Sequence, residues 1–171
     1  MLKALRQVST ELLARNPWWE YRKDIYEQPD ASHGEYHYVH TPGSVMIIPI
    51  TDEGKLVFIK QYRYLNRRLG LEFIGGGIKH GKRAEESAAE ELREEAGLIA
   101  SELTKIGEFN PMNGVTDEIC NIFVASSLKR TTANPDSTEE FEVEEIELAK
   151  VCELIREGSI WDGMTLAAFA V

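Results

Sequence analysis

The chain has 171 residues, enough for one domain with a sizeable core, and 43% of them are hydrophobic and 28% charged. Its net charge of −10 argues against a general nucleic-acid or anionic-membrane surface, since both need clustered Lys and Arg. No segment approaches the ~20 apolar residues of a membrane span, and the first residues lack an apolar core of signal-peptide length, so the cytoplasm is the expected compartment. Cys120 and Cys152 make no disulfide framework and read as small apolar residues.

Residues 2–14 suit either one helix face, through Leu2, Leu5, Leu12 and Leu13, or an extended strand, and Asn16-Pro17 ends them. Trp18–Tyr26 reads as a strand, Gln28–Gly34 as a turn and Glu35–His40 as an alternating strand. The apolar run Ser44–Ile50 has the character of a buried strand, Asp52-Glu53-Gly54 that of a hairpin turn, and Lys55–Tyr62 that of the return strand. After a short extended piece, Leu71–Ile74, residues 84–96 are rich in Ala, Glu and Leu and predict a helix capped by Gly97. Leu103–Glu108 and Glu118–Ala125 predict strands on either side of the loop NPMNGVTD. Residues 129–140 are loop-like, Phe141–Glu147 alternates, Ala149–Glu157 predicts a helix ended by Gly158, and Asp162–Ala170 a last helix. This order suggests an α/β sandwich with a mixed sheet, not a doubly wound nucleotide fold.

The stretch FIGGGIKHGKRAEESAAEELREEAGL, Phe73–Leu98, breaks a local rule. Glu86/Glu90, Glu90/Glu94 and Glu91/Glu95 stand at i,i+4, where like charges each cost roughly 0.2–0.5 kcal/mol. A solvated face would interleave cations, and here Arg93 alone does so. Glu91, Glu94 and Glu95 fall within one arc of the helix, where a hard cation such as Mg²⁺, bound through oxygen and bridging to substrate phosphates, would relieve the repulsion. Gly75-Gly76-Gly77 would let backbone approach the ions closely.

These residues resemble the Nudix box, G-x5-E-x7-R-E-U-x-E-E-x-G-U with U a bulky aliphatic residue. Gly76 starts it, and Glu91, Leu92, Glu94, Glu95, Gly97 and Leu98 match its second half. NPWWEYRKD, PGSVMIIP, FIKQYR, LEFIGGGI and NGVTDE are similar to segments of the ADP-ribose and nucleoside-diphosphate-sugar pyrophosphatases of that family. The resemblance implies a Nudix α/β/α sandwich, with an N-terminal β unit over residues 1–42 for dimerisation and base binding and a catalytic domain over residues 43–171. It implies hydrolysis of a nucleoside diphosphate sugar, Mg²⁺ (Mn²⁺ as the alternative) held by the Gly75 carbonyl, Glu91, Glu94 and Glu95, and a homodimer. Glu94 is counted among the catalytic residues with the general base, for which the late acidic loop DSTEEFEV offers Glu139, with Glu140 in reserve. Arg63 is the phosphate candidate, because its guanidinium presents a forked donor array. Glu72 would orient an Arg or a ribose hydroxyl, or form a structural ion pair. Asp117 and Glu118 would shape the pocket, and of Trp18 and Trp19, facing opposite ways in a strand, one would lie in the core and the other would stack on a base across a dimer interface.

Two box positions depart from the pattern: Lys82 stands where an acid is expected and Glu90 where an Arg is expected. Either they keep the family's ion pair with its signs exchanged, or the box is degenerate and the chain a non-catalytic nucleotide-binding module. On the last helix Asp162-Gly163-Met164 lacks the Lys of the D-x-K found in the sugar-nucleotide branch, which tilts the substrate toward ADP-ribose over GDP-mannose.

Overall fold

A computed structural model describes residues 3–133 and 140–171. Its elements in chain order are β1 (Arg6–Arg15), β2 (Glu20–Glu27), β3 (His33–His40), β4 (Ser44–Pro49), β5 (Leu56–Arg63), β6 (Arg68–Glu72), β7 (Ile74–Gly77), α1 (Ala84–Ala96), β8 (Leu98–Phe109), β9 (Cys120–Arg130), β10 (Glu142–Ile146), α2 (Leu148–Arg156) and α3 (Gly163–Phe169). They divide into two compact units: the N-terminal segment through Pro42 with Asn110–Ile119, and Gly43–Phe109 with Cys120–Val171.

In the first unit β1, β2 and β3 form an antiparallel meander. The ambiguous opening segment is a strand, exposed along its whole length. Asn16 closes the turn after it: its side-chain oxygen accepts from the Trp18 and Trp19 N–H groups, each at 2.9 Å, and its own N–H donates to the Trp19 carbonyl at 3.0 Å. Both tryptophans therefore lie in the β1–β2 turn, not in a strand, and neither is core, with Trp18 75% and Trp19 41% exposed. The Asn side chain competes for backbone groups that a strand would need. The 110–119 loop, which its sequence position put with the larger unit, groups with the meander. Val39 N–H donates to the Val115 carbonyl at 2.9 Å and Asp117 N–H to the Val39 carbonyl at 3.3 Å.

The second unit has a four-stranded sheet of order β7-β4-β9-β8 and a three-stranded sheet of order β10-β5-β6. β4 and β9 run parallel and the other pairs antiparallel, so the larger sheet is mixed. All of β4 is buried, and its alternation splits two ways. Val45 and Ile47 pack with Ala88 and Leu92 of α1, while Met46 and Ile48 pack with Val151 of α2 and Ala168 of α3. A strand covered on both faces reads as a continuous apolar run, which is the α/β/α layering of the expected sandwich. The turn after β4 forms as its sequence suggests, with Thr51 N–H donating to Lys55 O at 2.9 Å and Gly54 at φ 79°. The hairpin does not. β4 already has β7 and β9 on its two sides, so β5 joins the other sheet and only an Ile50–Leu56 bridge survives between them.

α1 spans the predicted residues. Glu86 caps its start by accepting from the Arg83 N–H at 3.1 Å, and Gly97, at φ 62°, ends it in the left-handed conformation with its N–H on the Arg93 carbonyl at 3.1 Å. β8 begins at the next residue. Gly158, at φ 74°, follows α2, and Asp162 caps α3 by accepting from the Thr165 N–H at 2.7 Å. Cys120 is buried and Cys152 is partly exposed, and neither forms a disulfide among the described residues. Among the described residues no helix is long and apolar enough to cross a membrane.

Candidate active site

The site grows from the seam between α1 and the edge strand β7 of the mixed sheet. The buried stripe of α1 is Ser87, Ala88, Leu92, Glu95 and Ala96. At about 100° per residue Glu95 falls near the middle of that stripe, with Glu91 and Glu94 closer to its edge. A carboxylate that is 6% exposed needs polar company, and Glu95 accepts from the Gly75 N–H at 3.2 Å. Gly75 stands opposite Met46 in the antiparallel ladder. In such a ladder the N–H and C=O of one residue lie on the same side, so with the N–H turned to Glu95 the Gly75 carbonyl also faces outward from β4.

Gly76 is open for a different reason. A Cβ there would lie 2.5 Å from Glu91 Oε1 and 2.6 Å from its Cδ, so the Glu91 carboxylate rests on bare backbone. Glu94 meets Arg93 at 3.2 Å and is 27% exposed. One turn ahead of Glu91, the Ser87 hydroxyl is buried with no hydrogen-bond partner among the described residues. Among the described residues no three His, Cys, Asp or Glu side chains form a ready-made metal cage. The donor set still fits a hard ion: it is all oxygen, on one helical edge and one outward carbonyl. Mg²⁺ is commonly bound by one or two carboxylates, waters and substrate phosphates instead of by an all-protein cage.

The reversed pair exists. Lys82 Nζ donates to both Glu90 oxygens, at 2.7 and 2.6 Å. The ammonium beside it is the main reason the Glu90 carboxyl is held below its usual range. The pair ties the loop after β7 to the second turn of α1.

Arg63 and Glu72, nominated separately, meet. β5 and β6 are antiparallel, and Arg63 Nε donates to both Glu72 oxygens at 3.0 Å while Nη2 makes a further contact to Oε2. Glu72 is 1% exposed, so a charge buried on the sheet is matched by a forked partner. That carboxylate holds the Arg63 guanidinium above its ordinary range, and the Asp162 and Glu95 charges add to the effect. Gly70 makes the arrangement feasible, because a Cβ there would fall on Glu72 Oε1. Gly70 was not among the sequence candidates. Its signal was a lone glycine inside a strand pattern, which often marks close approach.

Glu140 is described and exposed. Glu142 stands opposite Lys60, so going back along the chain from Glu142 runs toward the Arg63 end of β5. Glu139 lies outside the described residues. Trp18, Trp19, Asp117 and Glu118 belong to the first unit. There Asp117 Oδ2 lies 2.7 Å from His40 Nδ1, and its Oδ1 accepts from the Thr41 N–H at 3.4 Å. The two residues stand 77 positions apart, so no local pattern announces this contact.

Comparison with known proteins bears on the family and the fold of the chain. The model of the NUDIX domain matches residues 40–169. The chain is 33% identical over 150 residues to the ADP-ribose pyrophosphatase of Bacillus subtilis (strain 168), covering 86% of this chain and 80% of that protein. It is 28% identical over 165 residues to the methanol dehydrogenase activator of Bacillus methanolicus, covering 95% and 89%. A solved structure described as an ADP compounds hydrolase superposes with a TM-score of 0.84 at 25% identity, covering 98% of this chain and 91% of that one.

Proposed function

We propose a function for this chain from one premise: it belongs to the NUDIX family. It is a Nudix hydrolase related to ADP-ribose pyrophosphatases. Our reading is that it hydrolyses the diphosphate of ADP-ribose or a closely related nucleoside diphosphate sugar, releasing a nucleoside monophosphate and a sugar phosphate. The observation that carries this reading is the juxtaposition of oxygen donors and a fixed guanidinium in one unit. Glu95 is bound to the Gly75 N–H, Glu91 rests on Gly76, and Arg63, anchored by Glu72, feels the Glu95 charge.

In this reading the Gly75 carbonyl, Glu91, Glu94 and Glu95 hold Mg²⁺, with Mn²⁺ as the alternative. The ion would neutralise phosphate charge and lower the pKa of bound water. The chain's own groups do the rest. Arg63 holds a phosphate oxygen through the part of its fork that Glu72 leaves open. Glu139, or Glu140 in reserve, accepts the proton of the attacking water, and the leaving phosphate monoester departs in line. The contact between Lys82 and Glu90 supports a working box with exchanged signs. The absence of a Lys at Met164 favours ADP-ribose, and Asp162 beside it is occupied as the α3 cap. In the first unit the exposure of Trp18 and Trp19 supports base stacking, and the exposed β1 edge supports a homodimer.

The test is incubation with Mg²⁺ and ADP-ribose, other ADP-sugars, GDP-mannose and dinucleoside polyphosphates, with detection of nucleoside monophosphate. Release of AMP from ADP-ribose above the rest of the panel, lost in Glu94→Gln and Glu95→Gln, supports the reading. Binding of panel members without turnover would instead support the non-catalytic module that Lys82 and Glu90 suggest.

A further inference from the structure

The β5–β6 ladder sets Arg63 directly opposite Arg68. Like charges facing each other across a ladder are destabilising, and such residues have Cβ atoms about 4.5–5.5 Å apart. Yet the structure holds each guanidinium by a separate device. Glu72 grips Arg63 from the same face of β6, through the gap left by Gly70. Arg68 lies over the Trp161 ring, its guanidinium carbon 3.7 Å from the centroid. The indole is itself fixed, its Nε1 donating to the Leu69 carbonyl at 2.9 Å. Stacking uses the flat face of a guanidinium and leaves its edge donors for an anion. Arg68 is exposed and makes no ion pair with a carboxylate among the described residues, in a chain of net charge −10.

We infer that Arg68 is a second anion-binding side chain, oriented by Trp161 so that Arg63 and Arg68 each take one phosphate of a diphosphate. The inference rests on the reading of Arg63 as a phosphate contact. It adds a reason for preferring diphosphates over monophosphates, because one fork suffices for a single phosphate and two adjacent forks match two. A carboxylate partner for Arg68 would have removed the charge, whereas the ring fixes its plane and keeps it.

The experiment is calorimetric titration of the whole protein with ADP and with AMP, metal-free in chelator, on the parent, Arg68→Gln and Arg68→Lys. Thermal melts are run alongside, and KM and kcat for ADP-ribose with Mg²⁺. Arg68→Gln should weaken ADP by about tenfold or more and AMP by less than about twofold, the scale of one charge-assisted contact. Arg68→Lys, which keeps charge without the fork, should fall between. KM should rise with kcat little changed. An unchanged ADP/AMP ratio in Arg68→Gln overturns the inference. So does equal weakening of both nucleotides, accompanied by a lower melting temperature that Arg68→Lys restores. A parent that fails to hydrolyse ADP-ribose but keeps an Arg68-dependent preference for ADP sinks the hydrolytic reading and supports this one.

Discussion

Exchanging the ends of the Lys82–Glu90 pair, by Lys82→Glu together with Glu90→Arg, separates a contact that orients α1 from one that merely decorates it. Both side chains are about one-third exposed, at 35% and 34%, and joined by two short hydrogen bonds. A pair this solvated stabilises by about 0.5–1 kcal/mol. Lys82→Ala should therefore lower the melting temperature by about 1–4 °C in a domain of this size. Lys82→Glu should do worse, because it adds a carboxylate facing Glu90. Glu90→Arg alone is softened: it loses Lys82 but gains favourable i,i+4 partners in Glu86 and Glu94, about 0.2–0.5 kcal/mol each. The double exchange recovers the pair and keeps those gains, so it should melt at or slightly above the parent. The assay is a double-mutant cycle read twice, by thermal melts and by kcat/KM for AMP release. If the double variant equals the sum of the singles within about 0.5 kcal/mol, the pairing argument is refuted. The pH dependence has a definite sign. Lys82 depresses the Glu90 pKa, so the folded form binds fewer protons than the unfolded chain. The pair's contribution is complete above the ordinary carboxylate value of about 4.3 and is lost as pH falls through the depressed one. The melting difference between the parent and Lys82→Ala should close in that acid window.

Gly70→Ala would drive a methyl group onto Glu72 Oε1. It should destabilise by about 1–3 kcal/mol and raise KM by releasing Arg63, and an unchanged KM would count against Arg63 as a phosphate contact. Gly76→Ala puts a Cβ 2.5 Å from Glu91 Oε1, so the thermal stabilisation given by millimolar Mg²⁺ should shrink along with activity. Mg²⁺ titration of the melting temperature in Glu95→Gln checks the same site without turnover, and a full parental shift there would remove Glu95 from the ligand set. Gly97→Ala forces an L side chain to φ 62° and into the Thr131 carbonyl at 2.9 Å. It should lower the melting temperature by about 2–8 °C, measured by circular dichroism.

The residues that disclosed their structure in advance are those whose neighbours in space are neighbours in sequence. α1 was legible to its last residue because Ala, Glu and Leu favour helix throughout and Gly97 stops it. β4 was legible as a strand because both its faces are covered. Its pairing was not, since β9 enters from more than seventy residues away and takes the side that a hairpin would use. Trp18 and Trp19 misled because aromatic residues favour strands, whereas the nearby Asn16 side chain takes their backbone groups. Arg63 and Glu72 were each visible, but their meeting depends on the β5–β6 register. Trp161 holds Arg68 from the far end of the chain, and nothing local to either residue announces that contact.

The passage from α1 to β8 without an intervening loop has a consequence for how such a chain can change. Lys82–Glu90 holds the helix near its start, Glu95 to Gly75 holds it near its end, and Gly97 hands it straight to a strand. Helix phase is thus indexed to the sheet at both ends. One residue inserted into α1 would rotate everything on one side of it by about 100° and carry Glu91, Glu94 and Glu95 out of alignment with Gly75 and Gly76. The Lys82–Glu90 contact could exchange its ends without moving the helix, and individual side chains there have room to change. The spacing between them does not, so lineages of this chain should record their history in this segment as substitutions and almost never as insertions or deletions.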